Sequence, residues 1–165
     1  MQFKVGDLVV HPAHGVGRIV GLEEKRLLGE ERLYYEVTTQ KSTVWVPVEP
    51  EPATGIRPMT VKADLARYRS LLKSRPAVLN PDHRQRHLEI AERLREGSFR
   101  TLCEVVRDLT ARSWLKPLSD ADTVSLRKAR ESLCQEWAAA EGVPHAEAVT
   151  EIDELLQEAR RKHMS

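Results

Sequence analysis

Cysteine is scarce. The 165 residues hold two, Cys103 and Cys134, both within stretches patterned as amphipathic helix, so no disulfide framework is expected. No apolar h-region follows Met1, which argues against secretion and makes a reduced cytoplasmic interior the expected compartment. No apolar run approaches the roughly 18 to 20 residues that a bilayer-crossing helix needs, and no membrane partner is expected. Neither a P-loop nor a dinucleotide-type Gly-rich loop is present, which removes the enzymes built on them. Internal repeats and low-complexity tracts are missing as well. Net charge is close to nil, with 26 Lys and Arg against 25 Asp and Glu. The whole-chain balance therefore argues neither for nucleic acid nor against it, and distribution has to decide.

What is present falls into two halves. A 41% hydrophobic content permits a packed core in one ordinary domain or two small ones. From Val5 to about Pro58 the apolar residues form short β-branched or aromatic runs: Leu8 to Val10, Val16 to Leu22, Leu33 to Val37 and Val44 to Val48. Turn residues separate them at Gly6-Asp7, His14-Gly15, Leu28-Gly29 and Gln40-Lys41-Ser42, while Pro12, Pro47, Pro50, Pro52 and Pro58 forbid a long helix. Four or five antiparallel strands curling into a small barrel are predicted. Such a barrel buries a limited core and would normally lean on a partner.

From Thr60 onward the apolar spacing becomes three and four, the signature of amphipathic helices. The predicted helices are Val61 to Lys73, Pro81 to Glu96, Ser98 to Ser113, Ser119 to Glu141 and His145 to Lys162, with a loop over Ser74 to Pro81. Asn80-Pro81 and Ser119 supply N-terminal signals, and Gly97 and Gly142 supply stops. Between Lys62 and Arg112 there are 12 bases against seven acids. Beyond Ser113 the tail leans acidic apart from one basic island, Arg127-Lys128-Ala129-Arg130. The arginine-rich stretch fits phosphate contacts, since guanidinium groups bind phosphate bidentately and release counterions. It equally fits a solvated helix face of i,i+4 pairs such as Glu89 with Arg93.

His83 and His87 stand four apart, a spacing that two metal ligands on one helix face require. Arg84, Gln85 and Arg86 lie between them, however, and a cationic surround opposes a dication. His11 and His14 bracket a proline-alanine turn, where an imidazole commonly bonds the backbone. Neither cysteine has a base nearby in sequence to activate it. No metal and no cofactor are expected. Trp45 alternates with Val44 and Val46 and so projects from the other face of its strand. There it is either an exposed interface anchor or a residue buried under the flanking loop. Trp114 and Trp137 sit at apolar helical positions and are assigned to packing.

The run Phe3-Lys4-Val5-Gly6-Asp7-Leu8-Val9-Val10-His11-Pro12-Ala13-His14-Gly15-Val16-Gly17-Arg18-Ile19, then Tyr34-Tyr35-Glu36-Val37 and Val44-Trp45-Val46-Pro47-Val48-Glu49, resembles the CarD/CdnL family of bacterial RNA-polymerase-binding regulators. Its N-terminal module also occurs in the transcription-repair coupling factor. Glu104 to Leu109, Pro117-Leu118-Ser119 and Lys128-Ala129-Arg130 resemble the family's helical domain at similar spacing.

The resemblance implies an α+β protein: a small Tudor-like β-barrel over residues 1–58 that binds the polymerase β subunit, then an all-α domain over 59–165 that contacts promoter DNA near the upstream edge of the bubble. A linker and leading helix fall at about 59–80. It places polymerase contacts at Lys25, with Arg26 and Leu27 beside it, and at Trp45 and Pro47. Family members often carry arginine where Trp45 stands, so apolar docking is expected here in place of a charge pair. DNA contacts are implied at His83, Arg84, Arg86, His87, Arg127, Lys128 and Arg130. His83 occupies the position of the family's tryptophan wedge, and an imidazole offers less apolar area between base steps. Weaker open-complex stabilisation follows. The expected protein is a non-enzymatic monomer, cytoplasmic and held at the nucleoid through polymerase. A protein-interaction module that binds polymerase or a repair factor, with helices that bind protein and not DNA, is the alternative.

Overall fold

The computed structural model describes residues 2–27, 29–48 and 55–164. Leu28, Glu49, Pro50 and Pro52, and the side chain of Leu27, lie outside the described residues. The chain divides into two compact units, Met1–Met59 and Thr60–Ser165.

The first unit is an antiparallel sheet of β1 (Leu8–His11), β2 (Gly15–Leu27), β3 (Glu30–Thr39), β4 (Thr43–Pro47) and β5 (Arg57–Pro58), in the order β4-β3-β2-β1-β5. Period-two alternation turns Val9, Ile19, Tyr35, Val37 and Val46 to one face, where they pack with Phe3, Val48 and Ile56. The Tyr35 hydroxyl accepts the Phe3 N–H at 3.2 Å, and the two rings meet edge to face with centroids 5.8 Å apart. Among the described residues no pairing joins β4 to β5, so the sheet is open. Two strands also run well beyond the apolar segments predicted for them. The β2–β3 ladder continues to Leu27 opposite Glu30, building a polar two-stranded arm that hydrophobic alternation cannot reveal, because its backbone groups pair without burying a face.

The second unit begins with a 3-10 turn at Lys62–Asp64, followed by α1 (Leu65–Leu72), α2 (His83–Glu96), α3 (Phe99–Leu115), α4 (Asp120–Glu141) and α5 (His145–His163). The single helix expected over Val61 to Lys73 is thus interrupted. Val61 offers no side-chain cap, and the first turn tightens until the Asp64 N–H reaches the Val61 carbonyl at 3.0 Å. Likewise α2 starts after Pro81: the Asn80 Oδ1 accepts the Asp82 N–H at 3.0 Å, a local turn that hands the capping position to Asp82. Ser119 caps α4 as expected. Gly97 and Gly142 close α2 and α4 at φ of 80° and 77°, a left-handed geometry that costs glycine no Cβ clash.

The helical core is built from Leu65, Leu72, Ile90, Leu109, Leu133 and Ile152 around the fully buried Trp137. A polar knot closes it. Arg69 Nε donates to Glu151 at 2.7 Å and its terminal nitrogen to Glu141 at 2.6 Å, while the Trp137 indole N–H donates to Glu151 at 2.8 Å. One guanidinium thereby ties α1 to α4 and α5. Burial pushes the Glu151 carboxyl up, but the hydrogen bonds from Arg69 and Trp137 outweigh it and hold the group below its ordinary range. A carboxyl whose folded-state pKa is depressed stabilises the fold above its unfolded value and loses that contribution as pH falls through the folded one. Chemical denaturation from pH 5 downward is therefore expected to show falling stability of the helical unit, and Glu151→Gln to flatten that part of the profile.

Candidate functional site

Trp45 lies on the outward face of β4 and is 40% exposed, whereas Val46 behind it is 3% exposed. The alternation settles its orientation in favour of exposure. The ring is not loose. Lys25 Nζ sits 3.9 Å from the ring centroid, and the indole N–H donates to Glu23 at 3.3 Å. Register explains why these groups meet. Trp45 stands opposite Glu36 and Pro47 opposite Tyr34, while Tyr34 is itself opposite Glu23, and Arg32 opposite Lys25. Period two then places Glu23 and Lys25 on the face that carries Trp45 and Pro47. Arg26, one residue on, alternates to the other face and is exposed there. A cation over an exposed ring is worth about 0.5–1 kcal/mol. With the Glu23 bond, it holds the indole in one orientation before any partner arrives, which lowers the ordering cost of docking. Glu23 was not singled out from sequence. Its signal was its place two residues before Lys25, which on a strand means the same face.

At the start of α2, the Asp82 carboxylate accepts the N–H groups of Gln85 at 3.1 Å and Arg84 at 2.9 Å. These two bonds hold its carboxyl below the usual range. His83, Arg84 and His87 are exposed on the helix so begun. Arg86 is not, and this corrects the expectation that it contacts phosphate. It is 3% exposed; its Nε donates to the buried Asp122 at 2.6 Å, and a terminal nitrogen donates to the carbonyls of Asn80 at 3.0 Å and Pro81 at 3.3 Å. Its donors are turned inward, fastening the first turn of α2 to the first turn of α4.

On α4, Arg127 and Lys128 are exposed, and neither is ion-paired among the described residues. Arg130 pairs with Asp153 of α5, the two side chains 31% and 49% exposed, and so links two helices at the surface. The arginine-rich stretch sorts in the same way. Arg67 pairs with Asp64, Arg93 with Glu104 and Asp108, Arg95 with Glu92, Arg100 with Glu104 and Arg107 with Asp108. These belong to paired helix faces, although Arg93 takes its carboxylates from α3 and not from Glu89, which instead accepts from Asn80. The exposed pairs among them, Arg67 with Asp64 and Arg95 with Glu92, contribute little stability, whereas Asp108 is buried. The basic residues of α2 and α4 without an ion pair among the described residues are His83, Arg84, His87, Arg127 and Lys128.

The other candidates take structural roles. His11 Nδ1 accepts the N–H groups of Ala13 at 3.0 Å and His14 at 3.2 Å. Burial, and then the His14 ring, lower its pKa. Cys103 and Cys134 are both buried, and burial pushes the Cys134 thiol up, away from thiolate. Trp137 is core, and Trp114 is half-buried beneath the Arg160 guanidinium at 5.3 Å. No helix among the described residues is long and apolar enough to cross a membrane.

Comparison with known proteins bears on both units. Residues 3–59 match the family model described as CarD-like/TRCF RID domain, and residues 68–153 match that described as the CarD C-terminal domain. The chain is also 29% identical over 144 residues to the "Putative transcription factor YdeB" of Bacillus subtilis (strain 168), covering 86% of this chain and 94% of that protein. The chain therefore belongs to the CarD family of transcription regulators.

Proposed function

We propose that residues 1–58 dock on the β subunit of RNA polymerase through the face formed by Trp45, Lys25 and Pro47, with Arg26 and Leu27 of the β2–β3 arm at its margin. Residues 59–165, with a linker and leading helix at about 59–80, then contact promoter DNA near the upstream edge of the bubble. The observation that carries the reading is an exposed tryptophan held ready by Lys25 and Glu23 in the unit that matches the RID family model.

Docking raises the local concentration of the helical unit at the promoter, so that weak DNA contacts act as if intramolecular. Greater affinity for the open than for the closed complex then shifts promoter opening without any chemistry by the protein itself. It acts as a non-enzymatic monomer in the cytoplasm. The test is calorimetric titration of the chain against the β-subunit lobe. Saturable binding that Lys25→Glu weakens is expected, and no binding by the native chain would remove the docking reading.

His83 heads α2 where a wedge at the bubble edge would sit. An imidazole offers less area there than an indole, so His83→Trp is expected to lengthen open-complex lifetime in a filter-binding decay assay. An unchanged or shorter lifetime would rule out a wedge role for this position. The second reading, helices that bind protein and not DNA, draws on the inward turn of Arg86 and the pairing of Arg130 with Asp153. Under it, native chain and polymerase would form a complex whose promoter occupancy ignores Arg84, Arg127 and Lys128.

A further inference from the structure

The ends of α1, α3 and α5 meet at one corner of the helical unit. His163 Nε2, in the last turn of α5, lies 3.2 Å from the carbonyl of Lys73, which caps α1. Arg107, in the middle of α3, donates to Ser74 just beyond that cap at 2.9 Å, and Arg160 of α5 covers Trp114 in the last turn of α3. Folding thus brings together the chain segments that carry Lys73, Arg75, Lys116, Arg160 and Lys162, which are far apart in sequence. None of these five is ion-paired with a carboxylate among the described residues, in contrast to Arg67, Arg69, Arg93, Arg95, Arg100 and Arg107 in the same unit. Glu158 is the acid of the last two turns of α5.

A structural role accounts for part of this charge. Cations at helix C-termini offset the macrodipole, but that is roughly half a negative charge per end. Three ends and Glu158 together offset about two and a half charges, leaving about as many of the five uncompensated. Such a surface calls for a ligand with repeated negative charge, and duplex DNA presents one phosphate per ~1.7 Å of axis. The loop from Arg75 to Pro81 also bounds the distance to α2, since its seven residues span at most about 25 Å. That is about seven base pairs.

We propose that this corner is a second phosphate-binding surface, engaging the backbone of the same duplex that α2 and α4 contact. The proposal rests on the reading of the helical unit as DNA-contacting. It is tested by fluorescence anisotropy of a labelled duplex about two helical turns long, titrated with the whole chain over a range of salt. Arg75→Gln/Lys116→Gln/Lys162→Gln is compared with Arg84→Gln/Arg127→Gln/Lys128→Gln. All six positions are exposed, so both variants should fold.

Each lost phosphate contact lowers the slope of log affinity against log salt by about 0.9. The corner variant is expected to lower it by about two to three, with polymerase titration unchanged. If only the α2–α4 variant lowers the slope, the corner is not a DNA surface and the DNA reading survives. If the native chain binds no duplex at the lowest salt, both fall. If the corner variant weakens polymerase binding and leaves the slope alone, the ligand is an acidic protein surface and the proposal is overturned.

Discussion

Arg86→Met is expected to cost the helical unit about 3–5 kcal/mol, the range for removing one member of a buried ion pair. The guanidinium and the Asp122 carboxylate are 2.6 Å apart with side chains 4% and 0% exposed. One Asp122 oxygen already lacks a hydrogen-bond partner. Without Arg86 both oxygens would be buried without a partner, and the carbonyls of Asn80 and Pro81 would lose this donor. Against a typical total of about 5–15 kcal/mol for a domain, this is a severe loss. The double variant Arg86→Met/Asp122→Leu is expected to recover most of it, because a buried pair replaced by well-packed apolar groups avoids the desolvation of both charges. Urea unfolding followed by circular dichroism decides the matter. A single variant within about 1 kcal/mol of native, or a double variant as weak as the single, would mean that the pair is not the clamp between α2 and α4.

Trp45→Ala is expected to weaken binding to the polymerase β-subunit lobe by about 2 kcal/mol or more, roughly 30-fold, the scale of an aromatic interface anchor. The fold should survive, because the outward face of β4 carries the ring while Val46 holds the strand on the core. Trp45→Phe separates the contributions: it keeps most of the apolar area but loses the indole N–H that Glu23 accepts, and should bind between the two. Lys25→Met removes the cation over the ring at a cost of about 0.5–1 kcal/mol. Calorimetry of the four proteins under one buffer gives the ranking. Equal affinities for native and Trp45→Ala would show that another face docks.

Both sites divide into a part readable along the chain and a part that is not. That Trp45 faces away from Val44 and Val46 follows from the two-residue period of a strand. That Lys25 and Glu23 clasp it depends on the β2–β3 and β3–β4 registers, which bring together side chains about 20 positions apart. The cations behave similarly. Arg84, Arg127 and Lys128 are exposed as their polar surroundings imply, yet Arg86 sits in the same run of polar residues, His83 to His87, and is buried. Its burial comes from Asp122, which is 36 positions away and looks in sequence like an ordinary first-turn acid.

Composition and periodicity were enough for the two-part α+β organisation, the five helices and most of their stops, because burial of an apolar stripe and the geometry of caps are local demands that each segment must meet for itself. The family resemblance was also carried by contiguous runs. Three things were decided by the tertiary structure alone: which arginines are ion-paired, which stand without an ion pair among the described residues, and the meeting of the segments that carry Lys73, Arg75, Lys116, Arg160 and Lys162 at one corner. A charged side chain is assigned by what lies within a few ångströms of it, and for these residues the neighbours come from other helices, through contacts that no local pattern encodes.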